Sequence, residues 1–239
     1  SSTDTNMYNV GVGYAAGGAV TTGVQNTMVG GLAGDALQDA DNNVAIGYAS
    51  LTSDTLGSHS IAIGSGALNA QNFSTATDTY NVAVGDAAGL SVTTGTSNVL
   101  IGGLTGDSLT TGGQNVAMGV GAIGSDTQGQ TAVAIGHNAL SSQNFTTSTS
   151  HYNVAVGHTA GGSVTTGVQN TLVGGLAGDA LQDADRNVAI GYQAMSGIVT
   201  GGTNVALGYY SLGQVTSGEN NVGIGRNALS YNTTADDNI

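Results

Sequence analysis

The chain has 239 residues, of which 41 are Gly, only two are Phe, and none is Pro, Cys or Trp. That leaves little bulk for an ordinary globular core, while a hydrophobic share of 39% is too high for a disordered chain. Fifteen acidic residues stand against Arg186 and Arg226, giving a net charge of -13. No nucleic-acid partner is expected, because nothing could neutralise phosphates, and no apolar run is long enough for membrane insertion.

Residues 1–8 (SSTDTNMY) resemble the Ser/Thr-rich runs that end at Tyr80 and Tyr152, so they read as the tail of a preceding unit. From Asn9 onward one motif governs the chain: N-V-A-I-G at Asn43 and Asn187, close variants at Asn9, Asn26, Asn81, Asn98, Asn115, Asn153, Asn170, Asn204 and Asn221, and degenerate ones at Ser60 and Ala132. The spacing is 17 residues except from Ser60 to Asn81 and from Ala132 to Asn153, where it is 21. Asn238 and Ile239 begin a further unit, so the sequence is expected to be a fragment of a longer repeat protein. A second period of 72 residues links Asn9, Asn81 and Asn153, and residues 17–48 recur almost unchanged at 161–192.

Within a unit, the second and fourth positions are Val, Ile, Leu, Met or occasionally Thr, and are predicted to face the core of a short strand. The third position is Ala, Gly, Met or Leu, and is predicted to lie on the opposite, outward face. An apolar outward face suggests association along the rod, most simply as a homotrimer. The fifth position is always Gly, as at Gly13, Gly30 and Gly47, which fits a corner. A second apolar step and a Thr/Gly-rich turn complete the unit. The predicted fold is all-β, a parallel β-solenoid of 17-residue coils forming a single repeat domain, with thirteen coils about 4.8 Å apart making a rod about 60 Å long. The recurrent Asn is expected to form a ladder. The four-residue insertions near Gln71-Asn72-Phe73 and Gln143-Asn144-Phe145 are expected to protrude.

The run V-A-I-G followed by x-x-A-L, with a ladder Asn before it, resembles the head repeats of the YadA-like trimeric autotransporter adhesins and the N-x-A-I-G-x-x-A-L arrays in some bacteriophage tail fibres. The resemblance implies a left-handed β-roll, three chains wide, used for surface attachment in an extracellular fibre of a cell or virion. The period of 17 residues is longer than that of the adhesin heads.

Several constellations suggest chemistry. Asp35, Asp39 and Asp41, and again Asp179, Asp183 and Asp185, lie in G-G-L-A-G-D-A-L-Q-D-A-D, which resembles the calcium-binding nonapeptide of RTX proteins but departs from it at Ala33. Clustered carboxylates in a Gly-rich turn suit calcium; the competing reading is a solvated acidic turn. His137 and His158 share the sixth position of neighbouring units and form a candidate transition-metal pair, against a plain polar ladder. Phe73, Tyr80, Phe145, His151 and Tyr152 on the insertions are candidate glycan contacts, since aromatic rings beside Asn and Thr suit sugar faces; the alternative is that they cover the loop base. No catalytic residues are expected, because no acid pair sits with a base and an orienting partner at a break in the repeat, and no cofactor is expected beyond calcium. Thr pairs at Thr21-Thr22, Thr93-Thr94, Thr110-Thr111 and Thr165-Thr166 raise an ice-binding alternative, interrupted by Gln38-Asp39 and Asn72-Phe73. A polysaccharide-degrading spike is the remaining alternative.

Overall fold

The computed structural model describes residues 7–197 and 200–239, so most of the tail at residues 1–8 lies outside the described residues. Within them the chain is all-β, a parallel solenoid. Thirteen three-residue strands, from Val10–Val12 through Thr27–Val29 and Val44–Ile46 to Val222–Ile224, form one parallel sheet in chain order. The register advances one unit per strand: Val44 pairs with Ile61, and Ile61 with Val82 across the first insertion. Two small parallel sheets, Gly57–Ser58 with Thr77–Asp78 and Gly129–Gln130 with Thr149–Ser150, lie beside the insertions. Among the described residues no helix is long and apolar enough to cross a membrane.

The Asn ladder runs through the stack. Asn26 Oδ1 accepts the backbone N–H of Asn43 at 2.9 Å, and Asn26 Nδ2 donates to the Ala40 carbonyl at 2.7 Å. One amide thereby ties the coil above to its own closing turn, the two buried backbone groups a tight coil leaves over. The bonding continues to Asn238, whose N–H donates to Asn221 Oδ1 at 3.1 Å.

The strand faces are the reverse of the sequence expectation. The third position points inward: Met28, Ala45, Ala62, Ala83, Leu100 and Ala117 are buried. The second and fourth positions point outward, with Ile46, Ile61, Met118, Ile135 and Ile190 each more than a third exposed. The physical reason is the radius of the coil. A 17-residue turn encloses a narrow interior that admits one column of side chains from the strand, so the middle residue of each strand faces in and the two beside it face out.

The remaining core comes from the eighth, ninth and twelfth positions, and bulk is exchanged among them. Where the third position is large, as Met28, Leu100 or Leu172, the ninth is Gly34, Gly106 or Gly178. A Cβ on Gly178 would lie 2.6 Å from Leu172 Cδ2, so the two positions compete for one volume. Where the third position is Ala, a large residue such as Leu51, Leu68, Ile123 or Leu140 fills the ninth, except beside Ala83 and Ala155, where Gly89 and Gly161 leave room for Leu100 and Leu172 of the next coil.

The backbone corners are more numerous than the fifth-position Gly suggests. The seventh, ninth and last residues of every coil also have positive φ, including Leu68 at 49°, Tyr80 at 51°, Ile123 at 45° and Thr131 at 65°. Non-Gly side chains at such angles are strained, and the coil-to-coil hydrogen bonds of the stack hold them there.

Candidate interaction surface

The outward Val/Ile columns make one uncharged stripe along all thirteen strands. At about 4.8 Å per coil and two side chains in width, it presents on the order of 500 Å² of apolar surface, at the upper end of what monomers expose. The sixth-position column flanks it with Tyr14, Tyr48, His137, His158, Tyr192 and Tyr209. Tyr192 and Tyr209 stack with ring centroids 5.9 Å apart, and the Arg226 guanidinium lies 5.5 Å above Tyr209. Among the described residues the surface holds no cleft or cavity.

His137 and His158 stack at 5.3 Å with only 9° between their planes. Imidazole lone pairs lie in the ring plane, so in this arrangement they run side by side without converging on one point. His158 Nδ1 is also engaged by Thr159 Oγ1 at 3.1 Å.

The six acidic-turn residues occupy three separate rows of the coil, Asp35 with Asp179, Asp39 with Asp183 and Asp41 with Asp185. Asp41 and Asp185 each accept the backbone N–H of the previous coil, from Val24 at 2.7 Å and Val168 at 2.8 Å. Asp39 accepts the Thr22 hydroxyl at 2.6 Å, and Asp35 accepts that of Thr52. These carboxylates join coils. Asp183 follows Asp39 in its row, on an exposed turn. Asp179, the counterpart of Asp35, has one buried carboxyl oxygen without a hydrogen-bond partner, and burial pushes its pKa up. Among the described residues no three His, Asp or Glu side chains come together as a metal-binding group. In the Thr rows, Thr21, Thr93, Thr110 and Thr165 donate their hydroxyls to the carbonyl of the next coil, which commits that row to the rod.

The insertions correct the expectation of protruding aromatic contacts. Phe73, Phe145 and His151 are buried, so these three cannot meet a ligand; only Tyr80 and Tyr152, 57% and 58% exposed, remain at the surface. Each Phe folds back because its ring leaves water there while its own N–H donates to the carboxylate beneath, Asp54 or Asp126. Tyr80 lies against His59, ring centroids 5.3 Å apart, and His59 Nδ1 is 3.1 Å from Asp78 Oδ1.

Beneath each Phe is a polar network that sequence reasoning missed. At the two 21-residue coils the ladder Asn is replaced by Ser60 and Ala132, and the twelfth-position apolar residue is replaced by Gln71 or Gln143 there and by Asp54 or Asp126 in the coil just before. Asp54 Oδ1 accepts the N–H groups of Gly57 at 3.1 Å and Phe73 at 3.2 Å, while Gln71 Nε2 donates to its Oδ2 at 2.5 Å. Gln71 Oε1 then accepts Asn81 Nδ2 at 2.9 Å, resuming the ladder. Asp126, Gln143 and Asn153 repeat this arrangement. The signal in the sequence was a coincidence of exceptions: Asp54 and Gln71, and again Asp126 and Gln143, put polar letters into the twelfth column on either side of the two places where the Asn column fails, and the other polar letter in that column is Asn232 of the last coil.

Comparison with protein-family models, curated proteins and solved structures gave no match.

Proposed function

We propose that this chain is a structural and adhesive segment of an extracellular fibre, at a cell surface or in a virion tail fibre, whose rods associate side by side as a homotrimer. The carrying observation is the uncharged Val/Ile stripe. No second or fourth position in any coil bears a charge, whereas Asp35, Asp39, Asp41, Asp179, Asp183, Asp185 and Glu219 lie in the turns beyond the strands. Packing the stripes together removes apolar surface from water and leaves these turn carboxylates at the periphery, where repulsion between rods is weakest, with Asp86 the one acidic residue in the flanking sixth column.

Light scattering on the folded chain tests this. Association gives three chains of 23.3 kDa, and Ile46→Glu with Ile190→Glu, at equivalent outward positions, returns a single 23.3 kDa chain with its fold intact. A monomeric mass for the unsubstituted chain would rule the bundle out.

Glycans are the proposed ligands, met by the exposed rings of Tyr80 and Tyr152, which offer flat apolar faces beside polar groups. Tyr80→Ala with Tyr152→Ala is expected to lower binding on a glycan array at least tenfold. Unchanged binding would remove the insertions from the adhesive surface while leaving the mass measurement to decide the fibre.

A further inference from the structure

The two buried networks differ in one respect. In the first, Ser60 and Thr79 complete the cluster: their hydroxyls lie 2.5 Å apart, Gln71 Nε2 donates to Ser60 Oγ at 2.8 Å, and Thr79 Oγ1 donates to the Ser58 carbonyl at 3.0 Å. In the second, Ala132 stands for Ser60 and the imidazole of His151 stands for Thr79, its ring filling the space of the lost hydroxyl. His151 is fully buried and stacks on Phe145, centroids 4.9 Å apart and 7° between planes.

The hydrogen-bond roles around this ring are determined by its neighbours. Gln143 Oε1 accepts Asn153 Nδ2 at 3.0 Å, so Gln143 Nε2 carries the donors. One goes to Asp126 Oδ2 at 2.7 Å; the other faces His151 Nε2 at 3.0 Å. On the other side of the ring, the Asn153 backbone N–H approaches His151 Nδ1 at 3.3 Å. Both ring nitrogens therefore face donors. A neutral imidazole has one lone pair and satisfies one of them; an imidazolium has none and satisfies neither. Asp126 Oδ2, 3.9 Å from Nε2, is the ionisable group against the ring, and it already accepts the Gln143 amide. The other groups packed on the ring, Gln143, Phe145 and Asn153, carry no charge.

We propose that the second 21-residue coil is an acid-opened latch: protonation of His151 breaks the Asp126–Gln143–Asn153 network and lifts Phe145 off its seat, while the first coil, built on Thr79, stays shut. Burial lowers the His151 pKa from 6.5 to about 4, with Asp126 opposing the shift. A basic group depressed on folding contributes its stability in full above 6.5 and loses it as pH falls from 6.5 toward 4. Between about pH 7.5 and about pH 5 the opening equilibrium of this coil should rise roughly 30-fold.

Amide exchange on the intact chain at those two pH values, corrected for intrinsic rates, reads the difference. The N–H groups of Gly129, Phe145 and Asn153 are expected to lose protection roughly 30-fold relative to those of Gly57, Phe73 and Asn81. His151→Thr with Ala132→Ser, which transplants the first network, is expected to abolish that difference. Equal loss in both coils, or a difference that survives the double substitution, overturns the latch. The His151 ring signals in the unsubstituted chain give an independent reading: titration at or above about pH 6 overturns it whether or not the variant folds.

Discussion

Gly102→Ala is expected to lower the melting temperature by about 10 °C, the counterpart of roughly 4 kcal/mol in a chain of this size, while Gly103→Ala, one residue on, changes stability by less than about 0.5 kcal/mol. Gly102 has φ 132°, and a Cβ there would lie 2.7 Å from the Gly119 carbonyl carbon and 2.8 Å from Thr105 Oγ1. Gly103 has no such angle, and its Cβ would come no closer than 3.7 Å to the Asp86 carbonyl oxygen. The cost at Gly102 is twofold: an angle that L-residues avoid, and a collision with a neighbouring backbone that cannot retreat without breaking the ladder on its far side. Thermal or urea unfolding of the two variants, compared side by side, measures it; equal tolerance would mean that adjacent coils can slide apart.

The second large effect is expected at Asn98→Ala, at roughly 3 kcal/mol. Asn98 Oδ1 accepts the Asn115 N–H at 3.1 Å, and Asn98 Nδ2 donates to the Gly112 carbonyl at 3.0 Å. Removing the side chain strands both groups in a dry interior, where each unmade bond costs more than a made one contributes. The chain itself holds the natural exception. Ala132 occupies a ladder position, and there the Asn153 backbone N–H turns to His151 Nδ1 and the Asn153 side-chain amide to Gln143 Oε1. Asn98 has no such replacement nearby. If urea unfolding shows Asn98→Ala to be nearly neutral, water has entered the column and the ladder is not a main source of cohesion.

Much of the architecture was legible because it depends on period alone. The constant spacing from Asn9 to Asn221 led to parallel coils in register, and the pairs Val10 with Thr27 and Val205 with Val222 follow it. The invariant fifth-position Gly marked a corner, and the Asn column marked a ladder. Three features were not legible. Positive φ at the seventh, ninth and last positions is hidden wherever those places carry Ala, Leu, Gln, Thr or Tyr in place of Gly or Asn, since such residues give no local sign of a left-handed backbone. Long-range stacking imposes those angles, and a residue's own preference is too weak to oppose it.

The insertions were misread for a related reason. Phe73 and Phe145 sit in a Ser/Thr-rich stretch, where local composition predicts exposure, but each covers a carboxylate that lies about one coil earlier in the chain. Only the stack brings those residues together. The exposed partners Tyr80 and Tyr152 are in the same stretch, so nothing local separates a lid from a surface ring.

By itself the sequence determined the repeat, the strand sites, the Gly corner and the Asn ladder, since each is a property of one unit copied at a fixed spacing. The tertiary structure decided which side of the strand is inside. Alternation along Val44, Ala45 and Ile46 says only that Ala45 faces away from its neighbours. The choice between the faces belongs to the closed coil, whose narrow bore takes Ala45 and leaves Val44 and Ile46 on the exterior. The same closure brought Asp126, Gln143 and His151 into one buried cluster, a contact between coils that no single unit contains.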